Sequence, residues 1–265
     1  MADYFHIYTN NPTVGQKDGT VISEARSFTS PLSVTLDAVE GAETIVKCAV
    51  RCDSGYTTDS SGVTITPYYY NGSEYVASGG NVAKWKLAKD ASIPASNTYT
   101  LTTLGAGGEE VTLGDVTLVY NQDFGGSTLE QVAMYLVQAF NRMSTLYTAT
   151  NDGAEITISE KVAGSGHTPG ASLIQGPLGS DGTTRTTPTF AITDGTPVDG
   201  KVATAEDMKL RGNWSSSLTL SGTIGETNII FWVKVSAAED EKPAKDITTA
   251  LHCTANIYDN TTTTT

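Results

Sequence analysis

The sequence predicts a mainly β protein: an antiparallel β-sandwich that is discontinuous because a small α+β domain is inserted into it. Gly, Ser, Thr and Asn are abundant and charged residues make up 17% of the 265 residues, a composition that favours short strands and turns over long helices. Apolar and polar residues alternate in several segments towards both ends of the chain. One convincing helical pattern occurs, in the middle.

Alternating segments define the first part of the predicted sandwich. Leu32–Leu36 alternates apolar with polar residues, and Ile45–Cys52 continues this pattern as the next strand. Tyr68–Val76 has the pattern of a β-hairpin closed at Asn71 and Gly72, residue types that tolerate the positive φ angles of a tight hairpin turn.

The same pattern returns near the end of the chain. Trp214–Leu220 alternates, the apolar side chains of Ile229–Val235 share one face of a strand, and those of Leu251–Ile257 share a face of the last strand. Evenly spaced strands of this kind, separated by turns, indicate an Ig-like antiparallel β-sandwich.

The middle of the chain has strands on both sides of one helix. Strands are expected at Tyr99–Thr103 and Val111–Tyr120 before the helix, and at Tyr147–Thr150 and Glu155–Glu160 after it. This β-β-α-β-β order indicates a small α+β domain of its own.

The helix is predicted from a capping box followed by apolar residues at helical spacing. The hydroxyl of Ser127 is expected to accept from the third helical amide while Glu130 reaches back to the cap. Apolar residues from Leu129 to Phe140 recur at steps of three and four, which places them on one face. We expect that face to pack against the domain core.

These patterns divide the chain into four predicted parts. Residues 1–30 form an extended N-terminal arm, residues 31–96 together with 199–260 form the sandwich, and residues 97–198 form the inserted α+β domain. The tail at residues 261–265 is low in complexity and is expected to be disordered. Insertion is physically reasonable when both ends of the insert leave adjacent strand ends, since neither core is then interrupted.

Several segments of the chain match patterns found in known proteins. In the α+β domain they are Val111–Leu118, Ser127–Asn141, Tyr147–Thr150, Ala154–Ile158 and Lys161–Gly166, and in the flanking parts they are Asp3–Pro12, Trp85–Asp90 and Asn228–Lys234. Through these segments the α+β domain resembles a module that recurs in tail and sheath proteins of tailed bacteriophages. The flanking parts resemble small virion proteins of phages and prophages of Gram-positive bacteria.

The resemblance implies a non-enzymatic virion protein, either a capsid decoration or another head-attached accessory protein. The alternative is a tail-associated structural protein of the sheath, tube or collar. Its partners would be the major capsid or tail proteins of the phage, on which it would form a homo-oligomer. It would be assembled in the cytoplasm of the host bacterium and located in the virion.

Charge and hydropathy exclude two classes of partner. The formal net charge of −13 argues against nucleic acid, because a phosphate backbone is bound by a basic surface. No run of residues approaches the length of about 18 apolar residues that a membrane span needs. The start of the chain also lacks the basic and apolar regions of a secretory signal, which favours a cytoplasmic place of synthesis.

The sequence gives no sign of catalytic chemistry. No pattern of nucleophile, histidine and carboxylate or of clustered metal ligands is found, and we predict no catalytic site, no cofactor and no metal site. Cys48 and Cys52 fall on one face of a strand and are expected in the core. Glu109 and Glu110 lie in a turn, where we expect their side chains to point into water.

Aromatic and apolar residues in two places are the predicted protein contacts. Four tyrosines lie on one hairpin, so that at least two must face outward in any register, and exposed tyrosine is enriched at protein interfaces and on sugar-binding surfaces. A host-surface glycan bound by an adhesin-like module is therefore the alternative partner. The predicted contact residues are Tyr4, Phe5, Ile7, Tyr8, Tyr68, Tyr69 and Tyr70.

Overall fold

The computed structural model describes residues 4–22, 32–36, 42–239, 241 and 247–260. Among these residues strands far outnumber helices, and each pair of neighbouring strands is antiparallel, so the prediction of a mainly β protein is confirmed. The predicted tail at 261–265 lies outside the described residues, as do parts of the predicted arm.

The described strands are β1 (Phe5–Thr9), β2 (Thr20–Val21), β3 (Ala42–Cys52), β4 (Tyr56–Tyr70), β5 (Tyr75–Val76), β6 (Trp85–Lys89), β7 (Ser96–Thr103), β8 (Glu110–Leu113), β9 (Val116–Val119), β10 (Tyr147–Asp152), β11 (Glu155–Glu160), β12 (Leu173–Gln175), β13 (Ala191–Asp194), β14 (Leu218–Leu220), β15 (Ile229–Ala237) and β16 (Thr249–Asp259). The described α-helices are α1 (Leu129–Met143) and α2 (Ala205–Arg211), and a single 3₁₀ turn covers Val82–Lys84.

The chain divides into two compact units. Unit 1 is built from Met1–Ala91 and Ala203–Thr265, and unit 2 is Ser92–Val202. Ile93 and Lys201, each one residue inside an end of unit 2, are hydrogen-bonded to each other, since their amides and carbonyls are paired at 2.8 and 2.9 Å. The chain therefore enters and leaves unit 2 through adjacent backbone segments.

Unit 1 consists of two sheets that enclose a common core. One sheet has the order β2-β1-β3-β15-β6, and the other has the order β14-β4-β16 with β5 paired to β4. Alternate residues of both sheets fill the core, including Cys48 and Cys52, whose predicted burial is confirmed at 0% and 2% exposure. The sequence prediction for Leu32–Leu36 is wrong in part: its side chains pack against this core, but the segment is not in a strand.

The N-terminal segment belongs to unit 1, which corrects the prediction of a separate arm over its described residues 4–22. β1 pairs with β3 along its length, with Phe5 opposite Cys52 and Ile7 opposite Val50. Phe5 and Ile7 alternate into the sandwich core and are 1% and 3% exposed. The burial of two large apolar side chains offsets the entropy lost by ordering the segment.

Buried polar contacts fix the loop after β1 to the same core. Asn228 is completely buried, and its side-chain amide donates to the carbonyl of Thr13 at 3.0 Å and to a carboxylate oxygen of Asp18 at 2.7 Å. Its Oδ1 accepts from the guanidinium of Arg51 at 2.6 Å. Three separate parts of the chain are therefore joined at one buried amide, which is satisfied only while the N-terminal loop stays in place.

Helix α2 covers the outer face of the five-stranded sheet and was not predicted. Thr204 and Asp207 form a reciprocal capping box at its start. Met208 of this helix is fully buried and packs with Trp232, whose indole N–H donates to Asp90 at 2.7 Å.

Unit 2 packs α1 against two sheets, in the orders β10-β11-β7-β13 and β12-β8-β9. The predicted helix is confirmed, but its cap is Thr128 rather than Ser127, and Thr128 accepts from the amide of Gln131. The predicted single strand over residues 111–120 is wrong: it is the hairpin β8-β9, because Gly114 adopts a φ of +53° and turns the chain.

The edge strand β10 of unit 2 is covered by a side chain of α1. Asn141 donates to the carbonyl of Ala149 at 2.8 Å and accepts from the amide of the same residue at 2.7 Å. The hydroxyl of Ser144 accepts from the amide of Tyr147 at 2.9 Å. Backbone groups that an edge strand would offer to another chain are thereby occupied.

Candidate protein-interaction site

The carboxylates of unit 2 hold turns together. Glu109 is 1% exposed and accepts from the amides of Ala106 at 2.9 Å and Gly107 at 2.7 Å and from the hydroxyl of Thr189 at 2.8 Å. Burial opposes its ionisation, but these hydrogen bonds outweigh burial and lower the pKa of Glu109 to about 2. The prediction that Glu109 points into water is therefore wrong, whereas Glu110 is part-exposed and pairs with Arg185 at 2.8 Å.

A serine, a histidine and a glutamate do come together after β11, but their hydrogen bonds organise a loop. Ser165 Oγ donates to Glu160 at 2.5 Å and lies 2.9 Å from Nδ1 of His167. Glu160 also accepts from the amides of Gly164 and His167, and despite its burial these bonds lower the pKa of its carboxyl. A carboxylate held in this way is a poor general base, because its proton affinity is low and its lone pairs are occupied.

The predicted N-terminal contact residues are divided by the structure into interior and surface positions. Phe5 and Ile7 are core residues, and Tyr8 is 7% exposed beneath the guanidinium of Arg51, which lies 3.5 Å from the ring centroid. A partner could meet these three side chains only if unit 1 opened. Tyr4 is 43% exposed and remains at the surface.

The tyrosine hairpin presents an ordered aromatic surface. The predicted hairpin is confirmed, but Tyr70 lies opposite Tyr75, so its turn covers residues 71–74 rather than Asn71 and Gly72 alone. The side-chain oxygen of Asn71 accepts from two amides of this turn. Successive residues of a strand point to opposite faces, and Ile65 of β4 points into the core. Tyr68 and Tyr70 are each an odd number of positions from Ile65 and therefore lie on the outer face. Tyr75 lies opposite Tyr70 and shares this face, so three of the four tyrosines face outward, in line with the expectation of at least two.

Each outward ring is held by a neighbour. The ring of Tyr68 stacks on the imidazole of His252 with centroids 4.4 Å apart and planes 15° apart. The rings of Tyr70 and Tyr75 lie 5.2 Å apart, and the hydroxyl of Tyr70 donates to the carbonyl of Gly72 at 2.8 Å. We define the outer tyrosine surface as Tyr68, Tyr70, Tyr75 and His252. All three tyrosines are half-buried, which leaves part of each ring accessible.

Tyr69 supports this surface from the other face of β4. Its ring lies against Gly79 and Gly80, and a Cβ at Gly80 would come within 2.3 Å of the ring. Gly80 also has a φ of +50°, a conformation that favours glycine. Tyr69 is therefore a packing residue of the hairpin rather than a member of the outer surface.

The predicted contact tyrosines that reach the surface lie in two separate places. Tyr4 stacks on Tyr56 with ring centroids 4.0 Å apart, and Tyr56 is the first residue of β4, whereas Tyr68 and Tyr70 end the strand. At roughly 3.3 Å per residue, the two places lie on the order of 40 Å apart along the strand. One small partner surface cannot cover both.

Sequence reasoning missed two of the aromatic partners. The pattern of the sequence singles out neither His252 nor Tyr56 as a contact residue. Their contacts depend on the pairing of β4 with β16 and of β1 with β3, between segments far apart in the chain. Period-two alternation identifies the face of a residue but not its cross-strand neighbour.

Comparisons with known proteins give no match. No protein-family model matches the chain, and no curated protein or solved structure is similar to it. Within the described ranges, no group of three or more His, Cys, Asp or Glu side chains is placed to hold a metal ion. Neither α1 nor α2 has the length and apolar character that crossing a membrane requires.

Proposed function

We propose that this chain is a non-enzymatic structural protein of a tailed-phage particle, attached to the head as a decoration or accessory protein. The outer tyrosine surface is the observation that carries the proposal, because it supplies an ordered aromatic contact at one end of unit 1. The resemblance of the flanking and middle segments to phage virion proteins supplies the setting. A tail attachment is the alternative location.

Binding through this surface would require little ordering. Tyr68 is already stacked on His252, and Tyr70 is fixed by Tyr75 and by its bond to Gly72. Rotamers that are fixed before association lose less entropy on binding, so more of the buried aromatic area contributes to affinity. Many copies on one lattice would add avidity, which allows each contact to be modest.

The buried polar side chains of both units are consistent with this non-enzymatic role. Glu109, Glu160 and the buried amide of Asn228 each satisfy hydrogen bonds within their own unit. These groups stabilise turns and loops, and none of the three is directed at an open cleft by the contacts it makes.

The direct test is to look for the protein on particles. Tailed particles from the strain that carries the gene would be purified by density gradient, blotted for the polypeptide, and examined by immunogold electron microscopy to separate head from tail. We expect labelled heads. Purified particles without the polypeptide would refute the virion role.

The contact surface is tested separately by complementation. Particles lacking the protein would be incubated with wild-type chain, with the double variant Tyr68→Ser/Tyr70→Ser, or with Tyr258→Ser, a matched control at an exposed residue of β16. The double variant should reduce occupancy by about tenfold or more, as for truncation of aromatic hot spots, and the control should attach normally. Normal attachment of the double variant would exclude this surface as the contact.

A further inference from the structure

We propose that unit 2 binds a neutral saccharide in the cleft between residues 121–126 and the exposed face of α1. Tyr135, Gln138 and Arg142 line one side of this cleft at successive turns of the helix, and Asn121 and Gln122 line the other. Its volume is about 320 Å³, at the low end of the range for small-molecule sites. The cleft lies entirely within unit 2 and is separate from the outer tyrosine surface of unit 1.

The loop wall of the cleft is preformed. Asn121 adopts a φ of +62°, and its backbone N–H donates to the carbonyl of Phe124 at 2.6 Å, which closes a tight turn. Phe124 is 4% exposed and packs edge-on against Tyr120 and Phe190 at 5.3 and 5.8 Å. This aromatic anchor holds the loop to the unit 2 core, so the loop side of the shallow cleft is ordered before a ligand arrives.

The polar side chains of the cleft are uncommitted. In the part of the chain that the structure describes, the side chains of Asn121, Gln122, Gln138 and Arg142 make no hydrogen bond or ion pair within the protein. Asn141, one turn along α1 from Gln138, differs because its amide is fully used by Ala149. The cleft thus concentrates three free amides and a free guanidinium on one surface.

Other cationic side chains of unit 2 already have partners within the protein, and Arg142 differs from them in this respect. Arg185 pairs with Glu110, and the ammonium of Lys161 donates to the carbonyl of Ser144 at 2.7 Å. Arg142 therefore stands out as a guanidinium available to a ligand hydroxyl or ring oxygen.

The combination of groups selects the ligand class. Amides both donate and accept hydrogen bonds, which suits hydroxyl groups, and the ring of Tyr135 is 44% exposed and can stack on the apolar face of a sugar ring. Asp123 offsets the charge of Arg142, and one of its oxygens accepts from the amide of Val119. Unit 2 also contains eleven Asp and Glu against four Lys and Arg, which disfavours an anionic ligand. A neutral sugar offers hydroxyl groups to the amides and an apolar ring face to Tyr135, and it carries no negative charge.

The experiment uses the full chain, biotinylated and displayed on streptavidin so that weak binding is amplified by valency. The displayed protein is applied to an array of neutral, sialylated and sulfated glycans, and the glycan that binds most strongly is then titrated by saturation-transfer NMR. Tyr135→Ala and Arg142→Ala should each weaken binding by about tenfold or more, or about 1.4 kcal/mol. Met134→Ala is the matched control, since Met134 is 38% exposed on the adjacent face of α1 and does not line the cleft.

Binding of a neutral glycan that is lost in both cleft variants and retained in Met134→Ala supports the site. The proposal is overturned if no glycan binds above background, if charged glycans are preferred, or if the cleft variants bind like wild type. Equal loss in the Met134→Ala control would also overturn it, because binding would then not depend on the cleft.

Discussion

Replacing Phe5 by Ala tests whether the N-terminal segment is part of unit 1. Phe5 is 1% exposed and packs in the sandwich core, so the substitution removes a buried aromatic ring and leaves a cavity. Changes of this kind cost about 3–5 kcal/mol. With a denaturation slope of about 2 kcal/mol per M urea, the unfolding midpoint should fall by about 1.5–2.5 M.

The assay is urea unfolding followed by tryptophan fluorescence. Trp85, Trp214 and Trp232 are the three tryptophans of the chain, and all belong to unit 1, so the signal reports this unit without interference from unit 2. The matched control is Tyr4→Ala, the neighbouring aromatic residue, which is 43% exposed and stacked only at the surface. Loss of that stacking should cost about 0.5–1.5 kcal/mol.

Two results would contradict this reasoning. The first is a Phe5→Ala variant that unfolds within about 1 kcal/mol of wild type, below the range expected for a buried ring. The second is a chain without residues 1–22 that keeps wild-type tryptophan fluorescence and cooperative unfolding. Either would mean that β1 is dispensable for unit 1 and would restore the interpretation of this segment as an arm.

Three further outcomes are expected. The pKa of Glu109 is lowered from 4.5 to about 2, so the stability that its carboxylate contributes is present above pH 4.5 and is lost as the pH falls towards 2. Calorimetry of Glu109→Gln should therefore show a smaller loss of stability on acidification than wild type, and an equal loss would contradict this. Asn141→Ala should uncover the edge at Ala149 and cause concentration-dependent association in light scattering, whereas a monomeric variant would argue against edge protection. Burial raises the pKa of Cys48 to about 12 and of Cys52 to about 11, so neither should react with a thiol reagent at pH 8 before unit 1 unfolds; rapid labelling of either would disagree with the core packing.

Local periodicity was sufficient to find much of the fold. The inward face of β3, the hairpin after Tyr70 and the apolar face of α1 all follow from spacing within a single segment. Helix α2 was missed because seven residues are too few to show a helical period, although the spacing of Thr204 and Asp207 is a capping signal.

Contacts between distant segments account for most of the remaining errors. Phe5 and Ile7 alternate as a strand should, but their partner strand β3 lies more than forty residues along the chain. Glu109 was expected in water because it is adjacent to Glu110 in a turn, yet the same turn brings the backbone amides of Ala106 and Gly107 to its carboxylate. The cleft on α1 likewise depends on a loop and a helix face meeting, which residue spacing within either segment does not specify.

The pairing of Ile93 with Lys201 brings the two ends of unit 2 next to each other. Because its two ends are already hydrogen-bonded to one another, excising residues 92–202 would leave unit 1 with two chain ends that a short linker can join. Recombination at these two points would therefore change the surface of unit 2 while leaving both sheets of unit 1 intact.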